Sequence, residues 1–221
     1  MEKYSNLMKN IIVYANLIRV QKDLDILKQN IGNYIHFSDS ERFGISYHKN
    51  VAPGNPRGLY GFPLTNEKLN AIINKSNLGS WEQFAYGKHI YIFSVNGNIL
   101  NLEDYNFDQI AKNILSLLKS KYNFSDQEIY WAKYMDLSTA IEKRSFFDLI
   151  WRLFEILRNK KLVSNEHSYL NTILRLLGFD AIETNANGFN DDMVAEICVV
   201  NPLSINLITK IDNPVLKLKN S

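Results

Sequence analysis

The segment Tyr34-Ile35-His36-Phe37-Ser38, answered after a loop by Arg57-Gly58-Leu59-Tyr60-Gly61-Phe62-Pro63-Leu64, decides how the chain is read. Tyr34, His36 and Ser38 alternate with Ile35 and Phe37, so the first segment is a strand with one polar and one apolar face. A phenol, an imidazole and a hydroxyl on one face are costly to bury without hydrogen-bond partners. A pocket lined by that face would give them a use. The second segment reads as a strand stopped at Pro63, which has no N–H to continue a ladder. Between the two lie Asp39, Ser40, Gly44, Pro53, Gly54, Asn55 and Pro56, the composition of a loop.

Upstream, Met8, Ile11, Ile12, Ala15, Ile18, Leu24 and Leu27 recur at helical spacing over residues 4–30, with Gly32 as the stop. Downstream, Thr65 caps a short helix to Lys75, His89–Val95 is a strand, and Asn96-Gly97-Asn98 is a turn. Residues 105–177 read as helices. One carries the stripe Phe107, Ile110, Ile114, Leu117 and Leu118, and Ser138-Thr139 reads as an N-cap. Phe146, Phe147, Ile150, Trp151, Leu153, Phe154 and Leu157 surround another on nearly all sides, which predicts deep burial. A third starts near Ser168 and ends at Gly178. Strands return at 179–182, 195–200 and 205–211, with a tail after Pro214. The expected fold class is α+β in one domain over 1–221: an N-terminal helix (1–32), a first sheet half (33–104), a helical insertion (105–177), and a second sheet half with a tail (178–221).

Composition narrows the function classes. The chain has 221 residues, 46% of them hydrophobic and a formal charge of +2, so it can bury a core and has no global field to select a partner. Its ten glycines form neither GxGxxG nor a phosphate loop, which removes the main support for the Rossmann and P-loop classes. Four histidines and one cysteine fall into no zinc or deaminase spacing, so no metal is expected. No GxSxG elbow occurs. Cys198 alone makes no intramolecular disulfide, and no apolar run has the length of a membrane span, so a cytoplasmic setting is the expectation.

What remains is an ordered trio. His36-Phe37-Ser38 lies on one strand and Tyr60 on the next. Glu196 opens a late strand, Glu196-Ile197-Cys198-Val199-Val200, followed by Asn201-Pro202-Leu203-Ser204-Ile205. This trio resembles the ADP-ribosyltransferase superfamily in its His-Tyr-Glu branch, typified by poly(ADP-ribose) polymerases and diphtheria-type toxins. That branch carries His-Gly-Ser/Thr, then Gly-Ile-Tyr-Phe, then a glutamate opening a strand. Gly58–Leu64 is similar to the Gly-Ile-Tyr-x-Tyr-Pro-Leu strands of phage-associated members. The Arg-Ser-Glu branch fits less well, because Val194 stands where its members carry Glu or Gln.

The resemblance implies a split mixed sheet and transfer of ADP-ribose from NAD to a macromolecular acceptor, nucleic acid or protein, by a phage- or toxin-type effector. The toxin-type resemblance also implies a neutralising antitoxin-like protein as a partner. NAD would be the substrate, with no metal. Glu196 would bind the nicotinamide ribose and stabilise the developing cation, His36 would hold the adenosine ribose, and Ser38 the carboxamide. Tyr60 would stack on the nicotinamide. A backbone amide at Phe37 would also serve the carboxamide, provided the bulky ring there points away. Arg57 would meet the pyrophosphate. No second stacking tyrosine follows the first, where the chain has Asn70, Ala71 or Ile72; Tyr47 and Tyr91 are the substitutes on offer.

Each residue also has a plainer reading on its own. His36 suits a satisfied structural histidine, Tyr60 a sheet aromatic with its hydroxyl at the rim, Glu196 a strand-edge carboxylate in water, and Arg57 a solvated loop cation. Two other functions therefore stand beside transfer: a non-catalytic binding protein on the same fold, and NAD hydrolysis without an acceptor.

Overall fold

A computed structural model of the chain describes residues 2–43, 56–74, 87–163, 168–184 and 196–214. Among the described residues the protein is a mixed α+β structure around one seven-stranded sheet. In chain order its elements are α1 (Glu2–Gln29), β1 (Tyr34–Ser38), β2 (Leu59–Pro63), α2 (Asn66–Asn74), β3 (His89–Val95) and β4 (Ile99–Asn101). Five helices follow: α3 (Phe107–Ser120), α4 (Asp126–Trp131), α5 (Ser138–Glu142), α6 (Phe146–Asn159) and α7 (Tyr169–Leu176). The chain closes with β5 (Ala181–Thr184), β6 (Glu196–Val199) and β7 (Ile205–Asp212). The strand order is β4-β5-β6-β2-β1-β3-β7, antiparallel throughout except for the parallel pair β4–β5.

Two helical layers cover the same face of the sheet. Over one half, α3–α7 pack on Leu100, Ile182, Cys198 and Val200. Over the other half, Leu27 of α1 with Leu69 and Ile72 of α2 packs on Ile35, Phe62, Ile90, Ile92 and Ile211. The opposite face carries a smaller cluster of Leu59, Phe93, Ala181, Ile197 and Val199, with Tyr34 and Phe43 against it. Among the described residues no helix is long and apolar enough to cross a membrane.

Local chemistry sets the boundaries. Gly32 adopts φ +96°, and its N–H donates to the Leu64 carbonyl at 2.9 Å, which turns the chain out of α1. Thr65 caps α2, its Oγ1 accepting from the Lys68 N–H at 3.2 Å. At the end of α7, Gly178 takes φ +85°, Phe179 N–H reaches the Leu174 carbonyl and Gly178 N–H the Arg175 carbonyl, a Schellman closure. That closure holds Phe179 in the helix terminus, so β5 begins at Ala181 rather than at 179. The same closure ends α6, with Leu162 N–H on Leu157 O and Lys161 N–H on Arg158 O, but here the left-handed position is Lys161, at φ 57°. A side chain there is strained where glycine is not. Lys161→Gly is expected to stabilise the protein by about 1 kcal/mol, read as a higher urea midpoint at constant slope.

Three further features differ from the sequence reading. The strand β4 is additional; at three residues it is too short to show periodicity. Helix α6 is buried along one stripe, Phe146, Leu149, Ile150, Leu153, Phe154 and Leu157, whereas Phe147 is 42% exposed and Trp151 half-buried, so this helix is amphipathic. Ser138 lies inside the first turn of α5 with Leu137 as the N-cap, because the preceding π-helical turn, Ala132–Asp136, runs directly into it.

Candidate active site

The three strands carrying the trio are consecutive neighbours in the sheet, β6-β2-β1. Tyr60 pairs with Cys198 and Thr184 with Glu196, so alternation puts Tyr60, Cys198, Thr184 and Glu196 on the helix-covered face. Glu196 is only 3% exposed. It lies where β6 leaves the α3–α7 layer and approaches Lys68 of α2, whose Nζ stands 5.7 Å from the Phe62 ring centroid. Burial pulls the Lys68 ammonium down from 10.5 to about 8, against the opposing pull of Glu67, Glu196 and Glu183. Lys68 belongs to no motif, and sequence reasoning missed it. Only its spacing on α2, one position before the core residue Leu69, could have suggested an inward lysine.

This lysine makes stability pH-dependent. Between pH 8 and 10.5 the unfolded chain keeps the Lys68 proton while the folded chain releases it, so Lys68 makes stability rise with pH through that window. Lys68→Met is expected to remove this rising contribution, checked by urea titrations of both proteins from pH 7 to 11.

The Tyr60 hydroxyl donates to the Pro56 carbonyl and lies beside the Cys198 thiol. Burial first, then Cys198 and Glu196, push the phenol well above its ordinary range. Burial likewise pushes the Cys198 thiol up, which keeps it protonated and a poor nucleophile. Below them, Arg57 is fixed by its main chain: its N–H donates to Asn171 Oδ1 at 2.7 Å, and its carbonyl accepts from Asn171 Nδ2. The clamp from α7 sets the entry to β2 and was not foreseen, because nothing local marks Asn171.

His36 belongs to the opposite face by alternation with Ile35, in register with Tyr91 of β3. Its ring nonetheless meets β2: Nδ1 is 2.8 Å from the Tyr60 carbonyl oxygen. A carbonyl only accepts, so Nδ1 carries the proton. The β1–β2 ladder pairs Tyr34 with Pro63 and Ile35 with Phe62, and the imidazole bonds to β2 beyond them. His36 thus joins the other two through the Tyr60 main chain, while Tyr60 and Glu196 share a face.

The Phe37 ring lies 6.4 Å from that of Phe62, in the cluster with Ile35 and Leu27, and so points away from the His36 side. Gly87 lies against the same stretch; a Cβ there would sit 2.2 Å from the Ser38 nitrogen. Ser38 Oγ accepts from the Ser40 N–H at 3.1 Å. Tyr91 is buried, its hydroxyl donating to the Ser40 carbonyl at 2.6 Å. Ile72 is in the core, and Tyr47 and Val194 lie outside the described residues. On the far face, the Tyr34 hydroxyl donates to Glu183 Oε1 at 3.2 Å, and burial pushes the Glu183 carboxyl up.

Among the described residues no cluster of three or more His, Cys, Asp or Glu could hold a metal ion. The site can place one buried carboxylate beside a phenol and a lysine, with the His36 imidazole on the next strand and the opposite face of the sheet. No protein-family model, curated protein or solved structure matches this chain.

Proposed function

We propose that the protein transfers ADP-ribose from NAD to a macromolecular acceptor on an ADP-ribosyltransferase-like split sheet. The observation that carries the reading is the burial of Glu196 at the start of β6, beside Tyr60 on the neighbouring strand and one strand further from His36. A surface glutamate would have ended the reading. In the reaction the glycosidic C–N bond breaks, nicotinamide leaves with the bonding electrons, and the acceptor forms the new bond to the ribose carbon as it loses a proton. Glu196 acts electrostatically on the cationic ribose. His36 and Tyr60 position NAD, Phe37 and Ser38 serve the carboxamide, and Arg57 meets the pyrophosphate. A phage- or toxin-type effector acting in the cytoplasm is the setting that fits this chemistry.

One observation favours a second reading, a binding protein without chemistry. The Tyr60 hydroxyl and His36 Nδ1 are both committed to main-chain carbonyls. Incubation of cell extract with protein and labelled NAD separates the possibilities. Label retained on nucleic acid or protein supports transfer and names the acceptor class. Free ADP-ribose with nicotinamide indicates hydrolysis. No turnover, and no NAD binding by calorimetry, leaves the binding protein.

A further inference from the structure

Segment 39–43 leaves β1 directly after Ser38 and lies across β3 and β7, on the sheet face away from the helices. Asp39 Oδ1 accepts from the Lys88 N–H at 3.1 Å, and the Ser40 carbonyl accepts from the Tyr91 hydroxyl. The Phe43 ring centre lies 5.1 Å from that of Tyr91 and 6.0 Å from that of Phe93. Between these anchors Glu41 reaches both strands. Its Oε1 is 2.9 Å from His89 Nε2 at the start of β3, and its Oε2 accepts from Lys210 Nζ of β7. The Ser40 N–H donates to Ser38 Oγ at 3.1 Å, so the segment is tied to the end of β1 as well.

The imidazole beneath Glu41 is the group whose proton count matters. His89 is 8% exposed, and among the described residues its Nδ1 has no hydrogen-bond partner. Lys210 first, then His89, hold the Glu41 carboxyl below its ordinary value, so at neutral pH it is ionised and only accepts. Nε2 therefore carries the proton, and in the neutral ring Nδ1 presents a lone pair. That lone pair stands 3.5 Å from Asp212 Oδ1, on the β7 residue paired with His89 in the ladder. Two acceptors facing each other out of water are costly. A second proton removes the conflict: Nδ1 becomes a donor towards Asp212, and the bond from Nε2 to Glu41 becomes charge-assisted. The other groups around the ring leave this balance in place. The Lys210 ammonium is committed to Glu41, the Tyr91 ring meets His89 edge-on at 6.4 Å with its hydroxyl on Ser40, and Asp39 and Lys88 add one charge of each sign.

We infer that His89 is a proton-operated clasp: a proton on Nδ1 fastens segment 39–43 to the β3–β7 edge through Glu41 and Asp212, and its release loosens the segment. The device draws on no substrate, so it stands apart from the proposed transferase activity. Closure is favoured on the acidic side and weakens as pH rises through the range where histidine exchanges its proton. Heteronuclear NMR of the His89 ring nitrogens, with amide exchange over 39–43 corrected for its intrinsic pH dependence, tests it from about pH 5.5 to about 8.5. Both ring nitrogens are expected to be protonated at the acid end, and Nε2 alone at the alkaline end. Protection over 39–43 should fall at least about fivefold across the same titration, while the α6 amides keep theirs. Asp212→Asn, an isostere on a side chain 57% exposed, should lower the ring's titration midpoint by about one pH unit. His89→Gln keeps a donor towards Glu41 but cannot titrate, so its protection over 39–43 should be constant with pH. A ring that stays neutral throughout, or that carries its proton on Nδ1 at the alkaline end, overturns the inference. So does protection that ignores the ring's titration, or a midpoint that Asp212→Asn leaves in place.

Discussion

Glu196→Gln is expected to lower nicotinamide release from NAD by at least about a hundredfold while leaving the protein folded. The amide matches the carboxylate in shape and keeps one oxygen to accept from a ribose hydroxyl, but it carries no charge to set against the cationic ribose. In a site where the residue is 3% exposed, that charge acts with little solvent screening. The same burial couples this carboxylate to the Lys68 ammonium, so stability is measured beside turnover. A melting curve and a labelled-nicotinamide assay on the two proteins decide the matter. Loss of turnover at unchanged melting temperature assigns Glu196 to the chemistry. Unchanged turnover removes it from the chemistry and takes the proposed mechanism with it.

Gly58→Ala is expected to have the largest effect on stability. A Cβ at Gly58 would stand 2.0 Å from the Val199 carbonyl oxygen and 2.7 Å from its carbon. Both are main-chain atoms of β6, so no rotamer change relieves the overlap and β2 must move from β6. The ladder Leu59–Val199, Tyr60–Cys198 and Gly61–Ile197 lies next to the displaced atoms. A loss of about 3 kcal/mol or more is expected, the upper end for overpacking, read as a fall in the urea midpoint. Gly97→Ala is the control: the nearest atoms to its added carbon belong to the Asp180 side chain rather than to main chain, so the loss should be smaller, set by the Asp180 bonds to Asn98 N–H and Asn201 Nδ2. Activity in the Gly58 variant should fall with stability, since Tyr60 and Glu196 are carried by the two strands that part.

Much of the fold was legible because it rests on local signals. Alternation located β1, an apolar β-branched and aromatic run located β3 at His89–Val95 to the residue, and glycine marked the ends of α1 and α7. The three-residue β4 was not legible, since its pairing with β5 supplies what its own sequence lacks. For α6, hydrophobic count suggested burial all round, but a first-turn residue such as Phe147 can project past the core. The trio of the candidate site was readable as residues, and its strand neighbourhood was not. Which face His36 takes relative to Tyr60 depends on the register of β1 against β2, fixed by partners remote in sequence. Lys68 was invisible for a related reason: only the docking of α2 onto Phe62 makes an ordinary helix lysine an inward one.

The pairing of Leu59 with Val199 also has a consequence in time. During synthesis the helices between the two strands can form from nearby contacts as they emerge, but β2 must wait for β6. At typical ribosomal elongation rates that delay is on the order of ten seconds. Through it, Tyr60 has no Cys198 opposite and no Glu196 beside it. A ribosome-bound chain is therefore expected to be inert towards NAD until Glu196 has been synthesised, and every truncated product ending before Glu196 should be inert as well.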